Sequence, residues 1–277
     1  MTAPDTSSAP TGDDARREWD TDELLEGDAK VAAVRHMFDA IAPRYDTLNR
    51  IISFRLDVRW RKRAVRDLAL PRGSRVLDLA SGTGDLCIDL ARGGIRPISI
   101  DLSFGMLSAD RSGVPRVQAD ILRLPVPDSS VDGVTCGFAL RNLADLPTFF
   151  AELARVVRPG GRIALLDVST PPNPVIRTGN NIYFGHVVPR IGAALSDGAA
   201  YRYLPKSVAY LPAPERLVAM LAAAGFAAVR HTQLSGGLTQ LLVATRSAAP
   251  ESGISRPSGN SSRAWVPEIP DRHETPD

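Results

Sequence analysis

Between Arg75 and Val168 short aliphatic runs alternate with stretches of helical period, which restricts the chain to layered α/β folds. Arg75-Val-Leu-Asp-Leu-Ala80 reads as a buried strand that ends in the turn Ser81-Gly-Thr-Gly84, and Asp85 to Ala91 carries apolar residues at helical spacing. Ile98-Ser-Ile100 predicts a second strand ending at Asp101, then a helix from about Ser103 to Ala109. Arg116 to Ala119 and Val131 to Gly137 predict a third and a fourth strand. Asp145 is the expected cap of a helix to Val157, with Pro147 in its first turn. Pro159-Gly160-Gly161 ends that helix, and Arg162 to Val168 predicts a fifth strand. Right-handed crossovers between such elements make a mostly parallel sheet. Pro171 to Leu211 reads as loop-rich, followed by a helix from Pro214 to Ala224 and two strand-like runs, Ala227 to Gln233 and Thr239 to Thr245. The turn at Gly236-Gly237 is too short for a crossover helix, so the sheet is expected to close with an antiparallel hairpin.

Composition shifts at both ends. Residues 1–28 and 247–277 hold few aliphatics and many Pro, Ser and polar residues, which predicts disordered tails around a folded unit at 29–246. The net charge of +2 carries no overall footprint for nucleic acid. Cys87 and Cys136 cannot form a disulfide framework, and no cluster has zinc spacing, so no metal is expected. The acidic start lacks the pattern of a signal peptide. The longest mostly apolar run, Leu217 to Val229, is 13 residues and contains Gly225. That is short of the ~20 needed to span a bilayer, and a cytoplasmic protein is expected.

A glycine turn between strand and helix lets the backbone approach a ligand closely, and the helix N-terminus offers free N–H groups. Asp101, ending the next strand, places a carboxylate where it can accept both hydroxyls of a ribose. A dinucleotide fingerprint would require Gly or Ala at position 87, where Cys stands, which weakens a nicotinamide-dependent oxidoreductase reading. The form Asp78-x-Ala80-x-Gly82-x-Gly84 instead resembles the loop of class I S-adenosylmethionine-dependent methyltransferases, with Ala at the first glycine. That resemblance implies a Rossmann-like, mostly parallel seven-stranded sheet and S-adenosylmethionine as cofactor. It places Gly82, Thr83 and Gly84 along the methionine part, Asp101 on the ribose, and Asp120 and Ile121 at the adenine.

Two further runs narrow the resemblance. Tyr45-Asp46-x-x-Asn49-x-x-Ile52-Ser53, running on to Trp60, is similar to a signature of the ubiquinone/menaquinone biosynthesis methyltransferases (UbiE/MenG). Leu48 replaces that signature's Met and Asp57 its His. Arg155-Val-Val-Arg-Pro-Gly-Gly161 with Asp167-Val-Ser169 resembles the second signature, with Arg158 for Lys and Asp167 for Glu. Gly137-Phe-Ala-Leu-Arg-Asn142 and the late segment Tyr201 to Pro212 also resemble family runs, so the likeness spans about residues 31–246.

The resemblance implies methylation of a ring carbon of a reduced quinol. Arg141 is then expected to stabilise phenolate charge and Asn142 to orient the ring. Tyr45, Asp46 and Asn49 are expected on a substrate wall within an N-terminal helical lid at 29–70, with Asp46 also a candidate proton acceptor. Residues 171–211 form the substrate-side insertion, where Ile182, Tyr183, Phe184, Val187, Val188 and Ile191 are candidates for an apolar groove. The expected substrate is polyprenylated 2-demethylmenaquinol, with a ubiquinone-pathway benzoquinol or another small molecule as the alternative. The arginine-heavy composition and the Ala-Ser-Gly-Thr-Gly loop resemble enzymes of high-GC Gram-positive bacteria, which favours menaquinol. Peripheral membrane contact and a homo-oligomer are further expectations.

Overall fold

The computed structural model describes residues 27–195 and 207–248, so most of both expected tails, and Tyr201 to Lys206, lie outside the described residues. The folded unit is wider than composition suggested. Gly27 already belongs to the first helix, and the Ser247 N–H donates to Gly225 O at 3.0 Å.

Seven strands form one sheet: β1 (Arg75–Leu79), β2 (Arg96–Asp101), β3 (Arg116–Gln118), β4 (Val131–Gly137), β5 (Val157–Val168), β6 (Phe226–Leu234) and β7 (Thr239–Arg246). Their order is β3-β2-β1-β4-β5-β7-β6. The first five pair in parallel, while β7 runs antiparallel to both β5 and β6. Successive side chains of a strand point to opposite faces, and both faces here are covered. On one face Leu77, Ile163, Leu165 and Leu242 pack against α6 (Leu146–Val156) and α9 (Pro214–Ala223) through Phe149, Phe150, Leu217 and Leu221. On the other, Val76, Ala164, Leu166 and Leu241 meet α3 (Leu56–Leu68) and α4 (Asp85–Arg92) through Ala64, Leu68 and Leu90.

A second layer covers the carboxyl ends of the parallel strands. It comprises α1 (Gly27–Ile41), α2 (Tyr45–Ile52) and α5 (Phe104–Ser108), whose Met37, Ile41, Leu48, Ile52 and Met106 share a core with Val188.

Two expectations need correction. The stretch read as loop-rich is helical over residues 174–195: α7 (Pro174–Ile182) passes through a π-type turn (Tyr183–Val187) into α8 (Val188–Leu195), and residues 196–206 lie outside the described residues. Pro174 sits at the helix start, where its missing N–H costs nothing, and the Asn173 side chain caps Val175 and Ile176 N–H at 2.9 and 3.3 Å. Proline and glycine therefore mark the ends and the π-turn of helices here, a use indistinguishable by composition from a loop. Similarly, Pro159-Gly160-Gly161 does not precede its strand but lies within β5. Val157 pairs with Val131 and Arg162 with Gly133, so the residues between form a bulge. A Cβ on Gly161 would meet Asp132 O at 2.7 Å, which is why the bulge carries glycine there.

Candidate active site

Two adjoining cavities open where α1 and α2 cross the carboxyl ends of the strands. The smaller, about 110 Å³, is lined by Ala80 and Gly82 after β1, Asp101 at the end of β2, Asp120 to Leu122 after β3, and Gly137 to Ala139 after β4. Val31, Val34, Arg35 and Phe38 of α1 form its outer wall. The larger, about 580 Å³, lies between α1, α2, α3 and the α7 run. Phe38, Tyr45, Phe138 and Asn142 line both.

In the smaller cleft Asp101 Oδ2 accepts from Gly82 N and Oδ1 from Ser103 N, each at 2.8 Å. Each oxygen keeps a further acceptor site, the donor-hungry arrangement that a vicinal diol satisfies. Burial pushes the Asp101 carboxyl above its ordinary value, while the N–H groups of Ser103 and Gly82 act against that rise. Gly82 has φ +58°, and a Cβ there would come within 4.0 Å of the Tyr45 ring, so the glycine leaves the turn open to a ligand. Asp120 caps its own turn by accepting from Leu122 N at 2.9 Å, with Ile121 beside it on the wall. The donor set and the side-chain-free turn thus fit S-adenosylmethionine at its ribose and adenine.

Thr83 and Gly84 stand elsewhere. Thr83 Oγ1 donates to Asp46 Oδ1 at 2.5 Å, and Gly84 starts α4 with φ +84°, its Cα against the Asp110 carboxylate. Neither lines a cavity. One residue of the turn faces the cleft because the next two already carry the chain into the helix.

Asp46 is corrected in the same way. Its carboxylate is turned away from both cavities into an ionic cluster with Arg111, with Thr83 and, at 3.9 Å, with Arg50. Arg50 and Arg61 reach Asp85 at 3.0 and 2.8 Å, tying α2 and α3 to the start of α4. A carboxylate so bonded fastens helices together and lines neither of the two cavities.

The larger cavity has a polar base and an apolar mouth. Tyr45, Asn49, Ser53, Asp57, Arg61, Arg141 and Asn142 line it together with Ile52, Phe54, Tyr183 and Phe184; Asp57, Arg61, Arg141 and Asn142 are buried, whereas Phe54 is exposed. Burial pushes the Tyr45 phenol above its ordinary value, against the pull of Arg141 and a hydrogen bond with Asn49, so it stays protonated and can donate. Arg141 is buried with its guanidinium paired to Asp167 and donating to Phe138 O at 2.8 Å and Ser207 Oγ at 3.2 Å. Its backbone N–H also donates to Asp167 Oδ2 at 3.1 Å, so the acid that ends β5 fixes the whole turn Leu140–Asn142.

Asp57 and Arg61 entered the sequence analysis as a departure from a signature and not at all, respectively. They are bonded to each other at 2.7 Å on the cavity wall, with Ser53 Oγ donating to Asp57 at 2.7 Å. Burial alone would raise the Asp57 carboxyl, but Ser53 and Arg61 hold it below the usual range. Phe138, with φ +62°, was hidden in a run read for its neighbours. The stripe Val31, Val34, Phe38 on α1 has helical spacing and was legible in principle. His186 and His231 line neither cavity; His231 pairs with Gln240 at 3.0 Å.

This strand order, the glycine turn after β1 and the acid ending β2 together define a class I S-adenosylmethionine-dependent methyltransferase. Solved structures agree at the level of fold. A methyltransferase from Thermotoga maritima superposes with a TM-score of 0.56 at 18% identity, covering 76% of this chain and 99% of that one. Phosphoethanolamine N-methyltransferase 2 of Haemonchus contortus, solved with S-adenosylhomocysteine, gives 0.54 at 14% identity, covering 77% and 60%. More particularly, residues 26–246 match the ubiE/COQ5 methyltransferase family, and the chain belongs to it. It is 45% identical to the demethylmenaquinone methyltransferase of Thermus thermophilus, over 76% of this chain and 100% of that protein. It is 42% identical to the ubiquinone/menaquinone biosynthesis C-methyltransferase UbiE of Syntrophotalea carbinolica, over 77% and 94%.

Proposed function

We propose that this protein methylates a ring carbon of reduced 2-demethylmenaquinol, using S-adenosylmethionine, to give menaquinol. The observation that carries the reading is the wall shared by the two cavities. Phe38, Tyr45, Phe138 and Asn142 bring a cleft suited to the cofactor against a larger pocket that is polar within and apolar at its mouth. The bound cofactor supplies an electrophilic methyl group.

The residues of the chain do the rest. Attack by a ring carbon requires electron density from an adjacent hydroxyl, and positive charge or donors near that oxygen favour the phenolate form. Arg141 stays protonated and therefore stabilises this charge without acting as a base. Asn142 orients the ring, and Tyr45 with Asn49 supplies a further donor on the cavity wall. Asp101, Asp120 and Ile121 hold the cofactor with Gly82. Asp57 is the acid on the pocket wall among the described residues, and it holds Arg61 in place. A polyprenylated substrate resides in a bilayer. No helix of the described residues is long and apolar enough to cross one.

Only the reduced ring is nucleophilic, which makes the redox state of the substrate the decisive variable. Purified protein with S-adenosylmethionine and demethylmenaquinone is expected to form methylated product with dithionite and none without it. A demethylated ubiquinol precursor offered in parallel is expected to react more slowly. Methylation of the oxidised ring, or preference for the benzoquinol, overturns the assignment.

A further inference from the structure

Six of the eight large apolar side chains that face water among the described residues lie beside the mouth of the larger cavity. Ile51 and Phe54 belong to α2 and the turn after it, and Val175, Ile176, Ile182 and Val187 to α7 and the π-turn. The two groups meet where the Phe54 and Tyr183 rings lie 5.7 Å apart and the Tyr183 hydroxyl donates to Ile52 O at 3.0 Å. α7 is amphipathic in sequence yet has no buried residue; Ile176 reaches Gly236, while Val175 and Ile182 stand largely in water. Val175 is 78% exposed and Phe54 73%. Phe54 and Arg55 are consecutive non-glycine residues with positive φ, 51° and 60°. Such backbone persists where the surroundings enforce it, and here it holds an aromatic ring out in water.

The charge around this lip is one-sided. Residues 50–56 and 171–195 contain Arg50, Arg55, Arg177 and Arg190 and no Asp or Glu. Arg55, Arg177 and Arg190 are exposed. A second copy of the chain docking here about a two-fold axis would set arginines against arginines. An anionic lipid surface complements both properties at once, taking the apolar side chains into the acyl boundary and the guanidinium groups at the phosphates.

We propose that this lip is a docking surface for an anionic bilayer, with α7 lying at the headgroup layer and the cavity mouth opening toward the acyl chains. The proposal rests on the quinol reading in one respect, that a membrane-borne substrate gives the docking its purpose. The test sediments the full chain with vesicles of equal parts phosphatidylglycerol and phosphatidylcholine, and with phosphatidylcholine alone. It includes the variant Ile51→Ser/Val175→Ser/Ile176→Ser, whose altered side chains line neither cavity.

The unaltered protein is expected to bind the anionic vesicles, with binding about tenfold weaker or worse to phosphatidylcholine alone or after the triple substitution. Both proteins are expected to methylate a demethylmenaquinol analogue lacking the prenyl tail at equal rates, which shows that the variant is folded. Equal vesicle binding by the two proteins, or none by either, overturns the docking surface whatever the turnover. Light scattering that finds a dimer broken by the triple substitution, without vesicle binding, overturns it in favour of a second copy. Selective vesicle binding with no turnover of the analogue by either protein supports the docking surface and defeats the quinol reading.

Discussion

Asp101 joins the two backbone N–H groups of Gly82 and Ser103 at the smaller cleft, so the carboxylate proposed to hold the ribose also shapes the turn. Replacing it with Ala removes charge-assisted hydrogen bonds worth about 1.5–3 kcal/mol each. Calorimetry is expected to show S-adenosylmethionine affinity reduced at least about tenfold, and unchanged affinity would mean that the ribose is held elsewhere. Arg141 presents a different case, since Asp167 is fully buried against it and deleting the guanidinium would strand that carboxylate at a cost of about 3–5 kcal/mol. Arg141→Lys keeps the charge and loses the planar fork. Turnover is expected to fall about a hundredfold with a small change in substrate KM, because the charge it stabilises develops in the transition state. An effect on melting temperature alone would make Arg141 purely structural.

Asp78 yields a prediction about pH. It is fully buried, accepting from Thr135 Oγ1 at 2.7 Å and from the Cys87 thiol at 3.4 Å, and burial raises its pKa from 3.8 to about 7. The folded state therefore retains a proton that the unfolded chain has lost between those two values. Stability is fully present below the lower value and declines as pH rises through the upper one, by roughly 4 kcal/mol in total. Asp78→Asn is expected to flatten the fall in melting temperature between pH 4 and 7, and an unchanged slope would show that Asp78 titrates normally. Burial and the Asp78 charge also push the Cys87 thiol upward, so alkylation of the native protein there is expected to be slow.

Among the elements, α1 forms the outer wall of the smaller cleft and is pinned at one end by Asp39, which accepts from Ser103 Oγ and Gly105 N, and at the other by Lys30. Lys30 donates to Leu143 O at 2.9 Å and Arg141 O at 3.2 Å, and its ammonium lies 3.6 Å from the centre of the Tyr210 ring. One side chain thereby joins the lid helix, the Arg141 turn and the segment after residue 207. Lys30→Met is expected to speed hydrogen exchange in α1 and to weaken cofactor binding several-fold, as the cation–π and charged hydrogen bonds contribute about 1–3 kcal/mol. Exchange unchanged across residues 27–41 would show that the helix is held by Met37 and Ile41 instead. The neighbouring α7 run was misread from sequence because its prolines and glycines serve as start signal and π-turn, and only the neighbouring backbone distinguishes those uses from a loop.

For the whole molecule, the ionic cluster of Asp46, Arg50, Asp57, Arg61, Asp85 and Arg111 binds the lid helices to the sheet's helical layer. Its outer members are partly exposed, so salt is expected to loosen the lid more than the sheet core. A chain of residues 27–248 is expected to keep both melting temperature and turnover, and loss of turnover alone would give one of the removed ends a place at the site. What the sequence by itself determined is the sheet, its parallel and antiparallel parts and the glycine turn after β1. Continuous apolar runs and positive-φ turns are local properties written in short windows. Only the tertiary structure decided that Asp46 is consumed by cations, that Asp57 and Arg61 face the substrate cavity, and that Tyr45 and Phe138 stand between the two cavities. Those outcomes depend on which charges and rings packing brings together from segments tens of residues apart, and no pattern within one segment encodes the identity of its partner.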